Sequence, residues 1–202
     1  MIANGLKNLH QLAVDDGVKL NLKEFVCGRS RQEVGGTKAL AEAFSLMGTL
    51  ELIELPQNGI LVEGKKPFIY YSILIKWVLG ITALAKCIES NPNLKKLNIN
   101  DNTVTERGAL AIGEALENCK NLETLDMGDC LIRNKGNIFQ NEHNKNKFDT
   151  LGAHYLSKRL KSMKSLRILN LSYNEIRIDG ALEVCKGTNY HMFTRFNCYF
   201  SN

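Results

Sequence analysis

The chain has 202 residues, enough for one large domain or two small ones with a sizeable core. With 44% hydrophobic and 23% charged residues it excludes a disordered chain. A net charge of +5 is too small to imply nucleic-acid binding unless the charges cluster.

Six cysteines, Cys27, Cys87, Cys119, Cys130, Cys185 and Cys198, are scattered without a CxxC pair. That spacing is neither a disulfide framework nor a zinc signature, and it points to reduced thiols in a cytosolic or nuclear protein. The first residues lack the basic and apolar regions of a secretory signal. The longest apolar stretch, Pro67 to Leu79, is short for a membrane span and contains Lys76.

In chain order, Met1-Ile-Ala-Asn-Gly-Leu6 reads as the middle of a helix. From Leu22 a pattern L-x-x-L-x-L-x-x-N-x-L begins and occurs five times. The first copy has Leu22, Phe25 and Cys27, with Ser30 where Asn is usual and Gln32 where Leu is usual. Copies follow at Leu50, Leu94, Leu122 and Leu166, carrying Asn58, Asn102, Cys130 and Asn174 at the ninth position. The apolar positions predict a short strand in each copy. The ninth residue turns inward and satisfies backbone groups that burial would orphan.

Between strands, Thr37–Phe44, Ile81–Ile88 and Ala109–Leu116 place apolar residues at i, i+3, i+4 and i+7, the spacing of a one-sided helix. Gly36, Gly80, Gly108 and Gly180 stand ahead of the predicted helices. The expected fold is an α/β leucine-rich-repeat solenoid of ribonuclease-inhibitor type, with about five repeats. A parallel concave sheet faces outer helices. The five starts fall 28, 44, 28 and 44 residues apart, so two coils carry 16 surplus residues each.

Several segments resemble one family, the leucine-rich-repeat domain of the Ran GTPase-activating proteins. They include Phe25-Val-Cys-Gly-Arg-Ser-Arg31, Pro56-Gln-Asn-Gly-Ile60, Gly80-Ile-Thr-Ala-Leu-Ala85 and Asn100-Asp-Asn-Thr-Val-Thr-Glu-Arg-Gly108. Gly128-Asp-Cys-Leu-Ile132 and Leu169-Asn-Leu-Ser-Tyr-Asn-Glu-Ile176 continue the series in the family's order. The resemblance runs from Leu22 to Lys186 and includes variable turn residues as well as leucines.

It implies an activator of GTP hydrolysis by the small GTPase Ran, with no catalytic chemistry of its own. Such an activator docks on GTP-bound Ran and orders Ran's own catalytic glutamine, without an inserted arginine finger. It further implies a role in nucleocytoplasmic transport, Ran-binding proteins as further partners, and a cytoplasmic location extending to the nuclear envelope. The alternative is a generic repeat scaffold that binds some other protein.

Four departures qualify this expectation. The coils that precede Met1 in the family are absent, and with them its early-repeat arginine and asparagine. The family's acidic tail is absent too. The repeat domain, 1–186, carries foreign segments at 64–79 and 136–151, and a tail unrelated to the repeats occupies 187–202. Each foreign segment opens on glycine, and their Ile, Phe, Tyr, Asn and Lys content is what translated A/T-rich non-coding DNA yields. They are expected to be retained introns, against the rival reading of lineage-specific surface loops. Lys65, Lys66 and Lys76 in the first segment supply three of the excess positive charges. A partial, weakly active or inactive form is therefore expected, association-prone at its uncapped ends.

Arg29, Arg31, Asp101 and Asp129 lie just past predicted strands, at the rim where solenoids meet partners. They are the candidate partner-binding residues, beside a plain reading as solvated turn residues. Asn58, Asn102, Cys130 and Asn174 are expected to be structural ladder residues. His10, His143, His154 and His191 lack partners at ligand spacing, so no metal is expected. No phosphate-cradling glycine motif is present, and no cofactor or nucleic acid is expected.

Overall fold

The computed structural model describes residues 2–17, 20–60, 79–130, 151–174, 176, 178–187 and 194–197. Six helices alternate with six strands. The helices are α1 (Ile2–Asp15), α2 (Glu33–Met47), α3 (Leu79–Glu89), α4 (Thr105–Leu116), α5 (Leu151–Leu160) and α6 (Ile178–Gly187). The strands are β1 (Glu24–Val26), β2 (Leu52–Glu54), β3 (Lys96–Asn98), β4 (Thr124–Asp126), β5 (Ile168–Asn170) and β6 (Arg195–Asn197). All pair in parallel, in sequence order, as a single sheet. This is the leucine-rich-repeat solenoid that the spacing predicts.

The repeat fixes the register. Phe25, Ile53, Leu97, Leu125 and Leu169, each at the fourth position of its copy, stand side by side at strand centres. From Ile53 onward these four are wholly buried. Leu50, Leu94 and Leu122 at the first position are equally buried, and Leu55, Ile99, Met127 and Leu171 at the sixth are almost or wholly so. Each coil thus stacks its apolar residues on the next, so that burial accumulates along the solenoid instead of around one centre. At the first coil Phe25 lies against Phe44 of α2, ring centroids 4.7 Å apart.

Asparagine side chains close the turns. Asn102 Nδ2 donates to the carbonyls of Leu55 and Ile99, both at 2.9 Å. Its Oδ1 accepts from the amides of Asn58 at 3.0 Å and Ile60 at 3.2 Å. Asn58 serves the first coil likewise, donating to Cys27 O and accepting from the Ser30 amide and hydroxyl. Asn174 donates to Met127 O and Leu171 O and accepts from the Cys130 amide. Cys130 keeps one bond of the set, Sγ to Ile99 O at 3.1 Å. A further inward amide lies at the helix-to-strand turn, where buried Asn91 accepts from Leu50 N at 2.8 Å and donates to Cys87 O at 2.7 Å.

Two features differ from the sequence reading. Gly36, Gly80, Gly108 and Gly180 lie inside the first turns of their helices, not ahead of them. At Gly80 the reason is close approach: a Cβ there would stand 2.4 Å from the Ile60 carbonyl oxygen. Secondly, Arg195–Asn197 falls in the segment expected to be a tail unrelated to the repeats, yet it pairs with β5 as a sixth strand. The sequence carries a signal for it. Phe193, Phe196 and Cys198 repeat the apolar spacing of Leu22, Phe25 and Cys27, and Ser201 matches Ser30.

The foreign segments at 64–79 and 136–151 lie outside the described residues, except for Leu79 and Leu151, which open α3 and α5. The remainder of the 187–202 tail, apart from Gly187 and 194–197, also lies outside them. His143 and His191 do too, as does Ile132 at the end of the fourth copy. No helix among the described residues is long and apolar enough to cross a membrane.

Candidate functional site

The residue before each ninth position takes the left-handed backbone conformation: Arg29 (φ 53°), Gln57 (55°), Asp101 (52°), Asp129 (47°) and Tyr173 (58°). For a residue with a Cβ this costs about 1–2 kcal/mol. The neighbouring coil imposes it. The amides of Arg29, Gln57, Asp101 and Asp129 donate to Pro56, Asn100, Gly128 and Ser172 carbonyls at 2.7–3.0 Å. The inward ninth residue pins the turn from below. Five side chains are consequently presented in one row along the rim, one per coil.

Three of the five are joined. The Arg29 guanidinium Nε donates to Gln57 Oε1, and Gln57 Nε2 donates to the Asp101 carboxylate. Arg29 and Asp101, two of the candidate partner-binding residues, are thereby tied together across three coils by a residue that sequence reasoning passed over. Asp129 is exposed one coil further along the row. Arg31 is exposed two residues beyond Arg29, itself in a left-handed conformation (φ 48°).

Beside the row, on the strand face, a second polar device centres on Asp126. Its Oδ1 accepts from the Gly128 amide at 3.1 Å, Asn100 Nδ2 at 3.2 Å and Asn170 Nδ2 at 2.9 Å. Asn98 and Asn170 fold back in the same way, accepting from the amides two residues on. Gly128 makes the convergence possible, because a Cβ there would meet Asn100 Nδ2 at 2.6 Å and Asn170 Nδ2 at 3.0 Å. The signal was present in sequence as an Asn or Asp two residues ahead of a small or polar turn residue. Its meaning emerges only when neighbouring coils are stacked.

At the opposite end of the strands, Glu51 sits between Lys95 at 2.7 Å and Lys23 at 3.1 Å. Lys95 first, then Lys23, holds its carboxyl below the usual range. Lys96 pairs with Glu54 on the same face. The face is therefore polar and mixed in charge, with its side chains already bonded to one another.

Nucleophilic chemistry has no footing there. Burial pushes the thiols of Cys87 and Cys130 to about 12 and that of Cys119 to about 11. His154 faces Glu183 at 3.4 Å on the helical side, away from the row. Among the described residues no three metal-ligating side chains come together. What the arrangement offers is a rigid, hydrogen-bonded polar surface, suited to recognising another protein.

Comparison with known proteins agrees with this picture. Residues 90–113 and 162–185 match the leucine-rich-repeat family model. Ran GTPase-activating protein 2 of Caenorhabditis elegans is 49% identical over 63 residues, covering 31% of this chain and 7% of that protein. Ran GTPase-activating protein 1 of Xenopus laevis is 47% identical over 60 residues, 30% of this chain and 10% of the relative. Its Saccharomyces cerevisiae namesake is 33% identical over 117 residues, 57% of this chain and 25% of the relative. The matches thus span a quarter or less of these curated relatives. Among solved structures, the tropomodulin C-terminal domain of C. elegans superposes with a TM-score of 0.62, covering 95% of both chains. At 15% identity that likeness concerns the fold alone.

Proposed function

We propose that this leucine-rich-repeat protein, similar in sequence to the Ran GTPase-activating proteins, docks on GTP-bound Ran through the rim row and adjoining strand face. The observation that carries the reading is the row Arg29–Gln57–Asp101, bonded end to end, with Asp129 beyond it. Its side chains are ordered before a partner arrives, so docking loses little rotamer freedom. In this reading the surface contributes complementarity and leaves the chemistry to Ran, whose own glutamine it helps to order. The protein acts in the cytoplasm, up to the nuclear envelope, on Ran's part in nucleocytoplasmic transport.

Single-turnover GTP hydrolysis by Ran, with a parallel binding measurement, tests the proposal. Measurable docking with weak or no stimulation is expected, because the chain matches only a small part of its relatives. Absence of docking to Ran in either nucleotide state would replace this reading with that of a scaffold for a different protein.

A further inference from the structure

The two ends of the described solenoid are complementary halves of one coil. At one end α1 packs beside α2 as the helix of a coil whose strand is not among the described residues. At the other end β6 pairs with β5 as the strand of a coil whose helix is not among them. One half offers a helix without a strand, the other a strand without a helix.

The outward faces of these halves are apolar. On α1, Ala3 is buried and Lys7 reaches across to Glu42 of α2. The opposite side carries Ile2, Leu9 and Leu12, with Leu9 54% and Leu12 60% exposed. On α6, Glu183 meets His154 of α5, while Ile178 (71% exposed) and Leu182 (51%) lie one turn apart on another side. Scattered exposed apolar residues mean little, but here each end of the repeat stack has its own group.

We propose that a second copy of this chain docks head to tail, β6 of one copy beside β1 of the next and α1 of the next beside α6 of the first. Together the two halves complete a coil. In the register that the five strand pairings already use, Arg195 comes to lie beside Glu24 of the second copy, giving a cross-strand pair of opposite charge. Phe196 falls beside Phe25, and Asn197 beside Val26, itself exposed.

The backbone has a matching set of bonds. In every interval the amides of two consecutive residues donate to one carbonyl of the preceding coil. Glu51 and Leu52 donate to Lys23 O, Lys95 and Lys96 to Glu51 O, and so on to Thr194 and Arg195 on Arg167 O. Continued across the junction, the amides of Lys23 and Glu24 in the second copy donate to Thr194 O of the first. Because the two surfaces differ, the contact is heterologous and does not close on itself, so copies add without limit.

Sedimentation velocity on the full chain tests this, with mass expected to rise past the dimer as concentration increases. Two blocked variants decide the geometry: Leu9→Glu with Leu12→Glu, and Ile178→Glu with Leu182→Glu. Each keeps one intact end, so each alone is expected to stay monomeric and an equimolar mixture to form a heterodimer. Circular dichroism checks that both fold. Should either variant not fold, the exposed charge pair serves instead: Arg195→Glu weakens association about two- to fivefold, and adding Glu24→Arg restores it. A chain monomeric at all concentrations, a closed dimer that never grows, or a mixture that stays monomeric overturns the proposal.

Discussion

Gln57 donates its side-chain amide to the carboxylate of Asp101, a residue 44 positions away in sequence but one coil away in space. Its carbonyl oxygen at the same time accepts from Arg29. A neutral residue thus sets the orientation of a cation on one side and an anion on the other.

If the rim row docks on Ran, Gln57→Ala weakens binding by about three- to tenfold, roughly 0.7–1.4 kcal/mol. The loss is expected in the dissociation rate, since net charge is unchanged and diffusional steering depends on charge. Gln57→Glu retains the bond from Arg29 but sets a carboxylate against Asp101, so it should bind more weakly than Gln57→Ala. Surface plasmon resonance with Ran bound to a non-hydrolysable GTP analogue measures both.

Asn102→Ala should destabilise the protein by about 2–4 kcal/mol in urea unfolding. It removes a buried amide whose loss leaves the Asn58 and Ile60 amides and the Leu55 and Ile99 carbonyls without that partner. Asn102→Cys should fall between the two, because Cys130 keeps a bond to a strand carbonyl at the equivalent position of the next coil.

Gly128→Ala places a methyl where Asn100 and Asn170 converge. Separating those amides from Asp126 costs about 1–3 kcal/mol, read as a lowered midpoint in thermal unfolding. Adding Asn100→Ala to the same chain should recover part of the loss, since it removes the nearer obstruction.

Glu51 links stability to pH. Its folded carboxyl, held low by Lys95 and then Lys23, titrates below its ordinary value of 4.5. The stabilisation is therefore present at neutral pH and lost as the pH falls from about 4.5 through the folded value. Glu51→Gln should flatten the acid limb of a urea-midpoint profile while leaving the alkaline limb in place. An acid limb identical to that of the unsubstituted chain rules the pair out as a contributor.

Cys87, Cys119 and Cys130 should resist iodoacetamide at pH 8 in the folded protein and react in urea, as site-resolved mass spectrometry would show. Their thiols are buried and remain protonated, with values of about 12, 11 and 12. Partly exposed Cys27 should be labelled ahead of them.

The sequence determined where the chain turns inward. Leucine spacing placed β1 to β5, because a strand that buries alternate residues against its neighbours must repeat its apolar positions in phase. Asn58, Asn102 and Asn174 were legible as ladder residues because a buried turn needs a side chain that can both donate and accept. β6 was not read, since phenylalanine and cysteine stand where leucine is usual and its place is set by pairing with β5.

What only the tertiary structure decided is which polar residues act together. Arg29, Gln57 and Asp101 are separated by 28 and 44 residues, and no local rule relates them. Asn100, Asp126 and Asn170 likewise meet across three coils. A repeat period fixes each residue's height on its own coil. Lateral contact between polar side chains depends on the neighbouring coil and on their own lengths, and a one-dimensional pattern records neither.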